Sequence, residues 1–146
     1  MNSSKHSKHI AQRAGSSGWL IIGLSALLTF GATEVMGQTS LDGQTFVITS
    51  IPNGDRNLTM EDTLIFRDRK FSSAVHQALG FEAGPYEASG HGEHMHFECV
   101  TGSLEGGRIT WRGELSAGWI KGTAVWEKEG GGNVEYAYSG KSITSK

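Results

Sequence analysis

The sequence predicts an all-β protein: eight short antiparallel strands in an up-and-down meander, closed into a barrel or left as a partly open barrel or sandwich. Three observations carry this prediction. From Leu41 onward, apolar residues recur at every second position, which is the period of a strand and not of a helix. Clusters of glycine, asparagine and aspartate separate these runs, at intervals close to the roughly 8–12 residues of an all-β meander. The chain carries 21 glycines against 2 prolines without a three-residue repeat, so tight turns and not collagen account for them.

Residues 1–37 read as an address. Lys5, Lys8 and Arg13 make a basic start, and no acidic residue precedes Glu34. The apolar run from Trp19 to Phe30 follows; it is shorter than the roughly 20 residues a helix needs to cross a bilayer, and suits a signal-peptide core. Val35 and Gly37 fit the −3 and −1 positions of a cut before Gln38. The expected organisation is a signal peptide over 1–37 and a single barrel domain over 38–146, secreted or periplasmic. Membrane contact is then limited to the transient signal peptide. The alternative is an uncleaved N-terminal anchor.

The expected strands follow in order. In 43–51, Phe46 and Ile48 face inward and Thr45, Val47 and Thr49 outward, before the turn Pro52-Asn53-Gly54-Asp55. In 62–67, Leu64 and Phe66 face inward, and Asp68-Arg69 turns the chain. The segment 70–78 is ambiguous: Phe71, Val75 and Leu79 stand at four-residue steps, which also fit a short helix. Its place inside a meander favours a strand, and a helix there would leave a more open, seven-stranded structure. A strand over 84–90 precedes Gly90-His91-Gly92, and 94–102 puts Met95, Phe97 and Cys99 inside. In 107–116 the inward set is Ile109, Trp111, Gly113 and Leu115; in 119–128 it is Ile120, Gly122, Ala124 and Trp126. Val134, Tyr136 and Tyr138 complete the series in 133–142. Inward glycines at 113 and 122 mark sharp bending or close approach by a bulky neighbour such as Trp111 or Trp126.

Several function classes find no support. A formal net charge of −2 lacks the basic stripe of a nucleic-acid binder. One cysteine, Cys99, permits neither an internal disulfide nor a cysteine-based zinc site, and its inward phase makes it a small hydrophobe. Pairing Cys99 with His76 for catalysis would need a third, orienting group, which the sequence does not name. Glu82, Glu87, Glu98 and Glu114 mostly fall on outward phases, unlike the paired carboxylates of a glycosidase cleft. No nucleophile elbow, zinc-protease, phosphate-loop or dinucleotide motif occurs. The cluster His91-Gly92-Glu93-His94-Met95-His96 suggests metal, but His94 and His96 share the water-facing side of their strand and lack a third ligand. No catalytic residue, metal site or cofactor is therefore expected.

The runs Thr110-Trp111-Arg112-Gly113-Glu114-Leu115, Ile120-Lys121-Gly122-Thr123-Ala124-Val125-Trp126 and Tyr136-Ala137-Tyr138-Ser139-Gly140 form a pattern. Together with Leu41 to Phe46 and Gly80 to Tyr86, it resembles small secreted bacterial proteins with a lipocalin- or avidin-like (calycin-like) barrel. The resemblance covers about 41–143. It implies a fold and a binding role, and no reaction. The chain departs from lipocalins in having Gln44, Thr45 and Phe46 after Gly43 where they carry Gly-x-Trp, and in lacking their disulfides. A cysteine often stands at the position of His76 in the bacterial proteins, so the resemblance implies no thiol role here.

The expected function is that of an exported, non-enzymatic module holding a small apolar or amphipathic ligand inside the barrel. Its lining would be Tyr86, Phe97, Trp111, Trp126, Tyr136 and Tyr138, with tyrosine hydroxyls orienting the ligand. The competing reading makes the same aromatic residues a filled core, in a structural or protein-interaction domain without a ligand.

Overall fold

Alternation sets the direction of each side chain in the wall of the protein, a computed structural model of which describes residues 39–144. The expected cut before Gln38 and the apolar run before it lie outside those residues. In strand β1 (Thr45–Pro52), Phe46, Ile48 and Ser50 are buried while Val47 and Thr49 face water. Asp62, Leu64 and Phe66 are the buried set of β2 (Met60–Arg67). After β3 (Lys70–Ser73) and β4 (Gly84–His91), the rule holds again in β5 (His94–Ser103), which buries Phe97, Cys99 and Thr101. Strand β6 (Gly107–Ser116) buries Ile109, Trp111, Gly113 and Leu115. Ile120 and Ala124 are buried in β7 (Trp119–Glu127), Tyr136 and Tyr138 in β8 (Asn133–Ser142).

The eight strands form a closed antiparallel barrel in sequential order. Closure is made by β1 and β8, paired from Phe46↔Ser142 to Pro52↔Tyr136. That pairing leaves neither terminal strand with a bare row of backbone donors and acceptors. Two hairpins turn on residues with positive φ: Asp68 and Arg69 between β2 and β3, Ala117 and Gly118 between β6 and β7. Such left-handed pairs match the twist of the strands they join.

The segment 70–78 corrects the expectation of an unbroken strand. It is strand only as far as Ser73, then becomes the short helix α1 (Ala74–Ala78). The cause is capping: the Ser73 side chain accepts from the His76 backbone N–H at 3.1 Å, and Asp62 accepts from that of Val75 at 3.0 Å. Nor does the helix cost the barrel a strand. The four residues of β3 pair with β2 from Leu64↔Ser73 to Arg67↔Lys70, and Lys70 and Phe71 still reach Pro85 and Gly84 of β4.

The core is aromatic. Phe66 meets Phe46, Phe71, Tyr86 and Phe97 at centroid separations of 4.9–6.1 Å. Trp111 bridges Phe71 and Tyr138. Gly113 and Gly122 make room for these rings. A Cβ on Gly113 would overlap the Phe97 ring and the Tyr138 hydroxyl; one on Gly122 would meet the Tyr138 hydroxyl and the Arg112 carbonyl oxygen. The close neighbours are thus Phe97 and Tyr138, in place of the expected Trp111 and Trp126. One end of the barrel carries α1 and the long β1–β2 and β7–β8 connections; the other carries the tight β2–β3, β4–β5 and β6–β7 turns.

Candidate functional site

The six residues expected to line a ligand chamber are distributed along the whole barrel, and most commit their polar atoms to the protein itself. At the turn end, the Tyr86 hydroxyl donates to Asp42 Oδ1 and accepts from the Leu41 backbone N–H, both at 2.8 Å. Phe97 lies in the middle, against Phe66 and Phe71. Trp111 Nε1–H donates to Thr101 Oγ1 at 3.0 Å, and Trp126 Nε1–H to the Gly106 carbonyl at 2.6 Å. The Tyr138 hydroxyl donates to the Arg112 carbonyl at 2.8 Å, and burial, reinforced by Cys99, raises its pKa above the ordinary tyrosine value. These rings fill the interior and hold its walls together.

At the helix end, Trp111, Trp126 and Tyr136 surround His76, which the sequence offered only as a partner for Cys99 lacking an orienting group. The His76 ring sits edge-to-face among these three and Phe81, at centroid separations of 5.3–6.2 Å. Its Nδ1 lies 2.7 Å from Ser73 Oγ, which is 2.5 Å from Asp62 Oδ2. The Asp62 carboxylate also accepts from the backbone N–H groups of Thr63 and Val75. Burial alone would raise its pKa; His76, Ser73 and the two backbone donors outweigh burial and hold it below the ordinary carboxylate value. With Asp62 ionised, Ser73 donates to it, so Ser73 Oγ accepts from His76 Nδ1–H.

This arrangement differs from a hydrolytic triad in the order of its members. The hydroxyl stands between carboxylate and imidazole and is itself buried, whereas a serine nucleophile faces substrate with the imidazole behind it. Its evident work is to dock α1 on the barrel end. Cys99 belongs to neither arrangement: its Sγ donates to the Gly84 carbonyl at 3.4 Å, and burial pushes its thiol up to about 12. A neutral thiol is a poor nucleophile at ordinary pH.

The turn end offers space. A recess of about 680 Å³ has Phe46, Met95, Leu115 and Trp119 as its apolar part, and Gln44, Glu93, Ser116, Lys141, Ser142 and Thr144 among its polar part. Its volume falls within the range of roughly 300–1,000 Å³ usual for small-molecule sites. Trp119 is 52% exposed because it occupies an outward phase of β7, next to the inward Ile120. Lys141, its cross-strand partner in β8, places Nζ 4.5 Å from the indole centroid, a cation–π geometry.

No family model matches this chain. Nor do the curated proteins or the solved structures provide a significant match. What the resemblance implied about architecture is present as an eight-stranded antiparallel barrel, and no family or homologue is identified.

The histidine cluster lies on the outside. His91, His94 and His96 are exposed, His94 Nδ1 is 3.3 Å from Ser116 Oγ, and His96 Nδ1 is 3.9 Å from Glu114. Among the described residues, no three His, Cys, Asp or Glu side chains gather as a metal site. Four residues of interest escape the sequence reading: Asp62, Ser73, Trp119 and Lys141. The available signals were an acid in phase with Leu64 and Phe66, and a tryptophan on a water-facing phase.

Proposed function

We propose that this protein is an exported, non-catalytic binding module whose small amphipathic ligand sits in the turn-end recess and not inside the barrel. The observation that carries this reading is the recess itself, which joins an apolar wall of Phe46, Met95, Leu115 and Trp119 to a polar rim. The aromatic interior supports the change of place, because its rings pack on one another and its indoles and most of its hydroxyls bond to the barrel. A non-catalytic role is supported by the raised Cys99 thiol and by the commitment of Ser73 to Asp62. Export is supported by the basic start, the short apolar run and Val35-x-Gly37. N-terminal sequencing of the secreted or periplasmic fraction is expected to begin at Gln38; recovery of intact Met1 in the cytosol overturns export.

Native mass spectrometry of the protein purified from its own host tests the binding role. A retained small molecule is expected, and it should be lost in Trp119→Ala, which removes an exposed ring and spares the core. Absence of any retained molecule favours the second reading, a structural or interaction domain with the same filled core; retention unchanged in Trp119→Ala keeps the binding role and overturns the recess as its place.

A further inference from the structure

We propose that the turn-end recess prefers amphiphiles with an anionic head, the Lys141 ammonium being the group that recognises a carboxylate. The inference rests on the recess being the ligand site and adds the charge of its ligand. Lys141 and Glu93 are the ionisable side chains lining the recess, so the sign of the preferred head is a contest between one cation and one carboxylate. The cation is held in place: Lys141 stands opposite Trp119 in the β7–β8 register, and the indole face lies 4.5 Å below its nitrogen. Stacking on an aromatic face fixes an ammonium without neutralising it, and a lysine so held keeps N–H donors for an acceptor.

The other ion pairs of the barrel wall contrast with this. Arg108 is paired with Glu127, Arg112 with Glu98 and Lys121 with Glu114, whereas Lys141 has no carboxylate within ion-pair distance among the described residues. Glu93 lies in the β4–β5 turn, on the opposite part of the rim from β8. An alkyl chain laid against Met95, Leu115 and the Trp119 ring would therefore bring a terminal carboxylate to Lys141, while the rim hydroxyls and the Gln44 amide offer further hydrogen-bonding groups. Ser142 and Thr144 are partly engaged, since Ser142 Oγ accepts from the Thr144 N–H and Thr144 Oγ1 from the Thr45 N–H. Lys141 is the cationic group in reach, so the discrimination by charge is assigned to it.

Isothermal titration of the full chain with decanoate, decan-1-ol and decylammonium tests this, since the three probes share a chain and differ in head charge. Decanoate is expected to bind about tenfold more tightly than decan-1-ol, the scale of one charge-assisted hydrogen bond, and decylammonium most weakly. Lys141→Met, which keeps the stem over the indole, should bring decanoate down to the level of decan-1-ol and leave decan-1-ol unchanged. Glu93→Gln should strengthen decanoate. If none of the probes binds, the recess is not the ligand site and the reading it rests on fails with it. If all bind without a charge preference, or the preference survives Lys141→Met, the anionic-head assignment alone is overturned.

Discussion

Asp62 is a charged group on the inside of a barrel, and the direction of its pKa shift gives that placement a measurable consequence. Its folded-state pKa lies below the ordinary value of 3.8, so its ionised form is favoured by folding. That contribution is complete above the unfolded-state pKa and is lost as pH falls through the lower folded-state value. Asp62→Asn gives Ser73 and two backbone N–H groups a poorer acceptor, and should cost about 2–4 kcal/mol at neutral pH. Urea unfolding at pH 7 and below pH 3 checks this: the gap between wild type and variant should shrink in acid. A gap of equal size at both pH values means that Asp62 does not hold its charge. Trp111 offers the complementary test of side-chain direction. Trp111→Ala should destabilise by about 3–5 kcal/mol, whereas Arg112→Ala, which removes an exposed pair with Glu98, should leave the unfolding midpoint nearly unmoved. Equal damage from both would shift β6 by one residue. At this scale the inward phases were legible in β1, β2 and β5 to β8, because burial acts on every second side chain alike. The partners of polar atoms were not legible: Ser73, His76 and Asp62 come together only when β2 and β3 lie side by side.

The one element misread, 70–78, shows how a cap competes with a pattern. Period and position favoured a strand, and the four-residue spacing of Phe71, Val75 and Leu79 suggested a helix packed by its apolar face. Each signal describes part of what forms, a strand as far as Ser73 and then a short helix over Ala74–Ala78, but the apolar spacing is not what holds the helix. Leu79 is 56% exposed and Val75 is half-buried, so the helix is held by its N-terminal hydrogen bonds and by His76 and not by an apolar stripe. The signal with the right physics was Ser73, a residue that favours the N-cap. In β7 the informative feature is an absent side chain. Gly122→Ala would drive a methyl group against the Arg112 carbonyl and the Tyr138 hydroxyl, whereas a Cβ at Gly102 of β5 meets nothing nearer than 4.0 Å. The first should cost about 2–4 kcal/mol, the cost of forcing backbone and ring apart; the second should change stability by less than about 0.5 kcal/mol. Thermal unfolding of the pair checks the contrast, and a tolerated Gly122→Ala would mean that Tyr138 does not occupy that space. The recess was invisible at the element scale because its members come from β1, β5, β6, β7, β8, two turns and the segments just before β1 and after β8, and only closure of the sheet assembles them.

For the molecule as a whole, each strand pairs with its predecessor and its successor, and β8 pairs with β1. Such a meander is nearly symmetric under cyclic relabelling: starting the chain at β8 and ending it at β7 exchanges one long-range pairing, β1–β8, for another, β8–β7. The average separation of contacting residues, which governs the folding rate of small domains, then barely changes. The geometry of the ends allows the experiment. Thr144 Oγ1 lies 3.3 Å from the Gly43 carbonyl and accepts from the Thr45 N–H, so a linker of a few glycine and serine residues can join 144 to 40. The new opening belongs in Gly130-Gly131-Gly132, all exposed and all at positive φ, where a break removes few contacts. We expect this permutant to lose no more than about 1–2 kcal/mol and to fold within about tenfold of the parent rate. Stopped-flow refolding measures both. A permutant slower by a thousandfold at similar stability would contradict the symmetry. It would mean that the β7–β8 hairpin, whose closing pairs run from Trp126↔Val134 to Glu127↔Asn133, nucleates the barrel, and that cutting its turn lengthens the loop closed in the rate-limiting step.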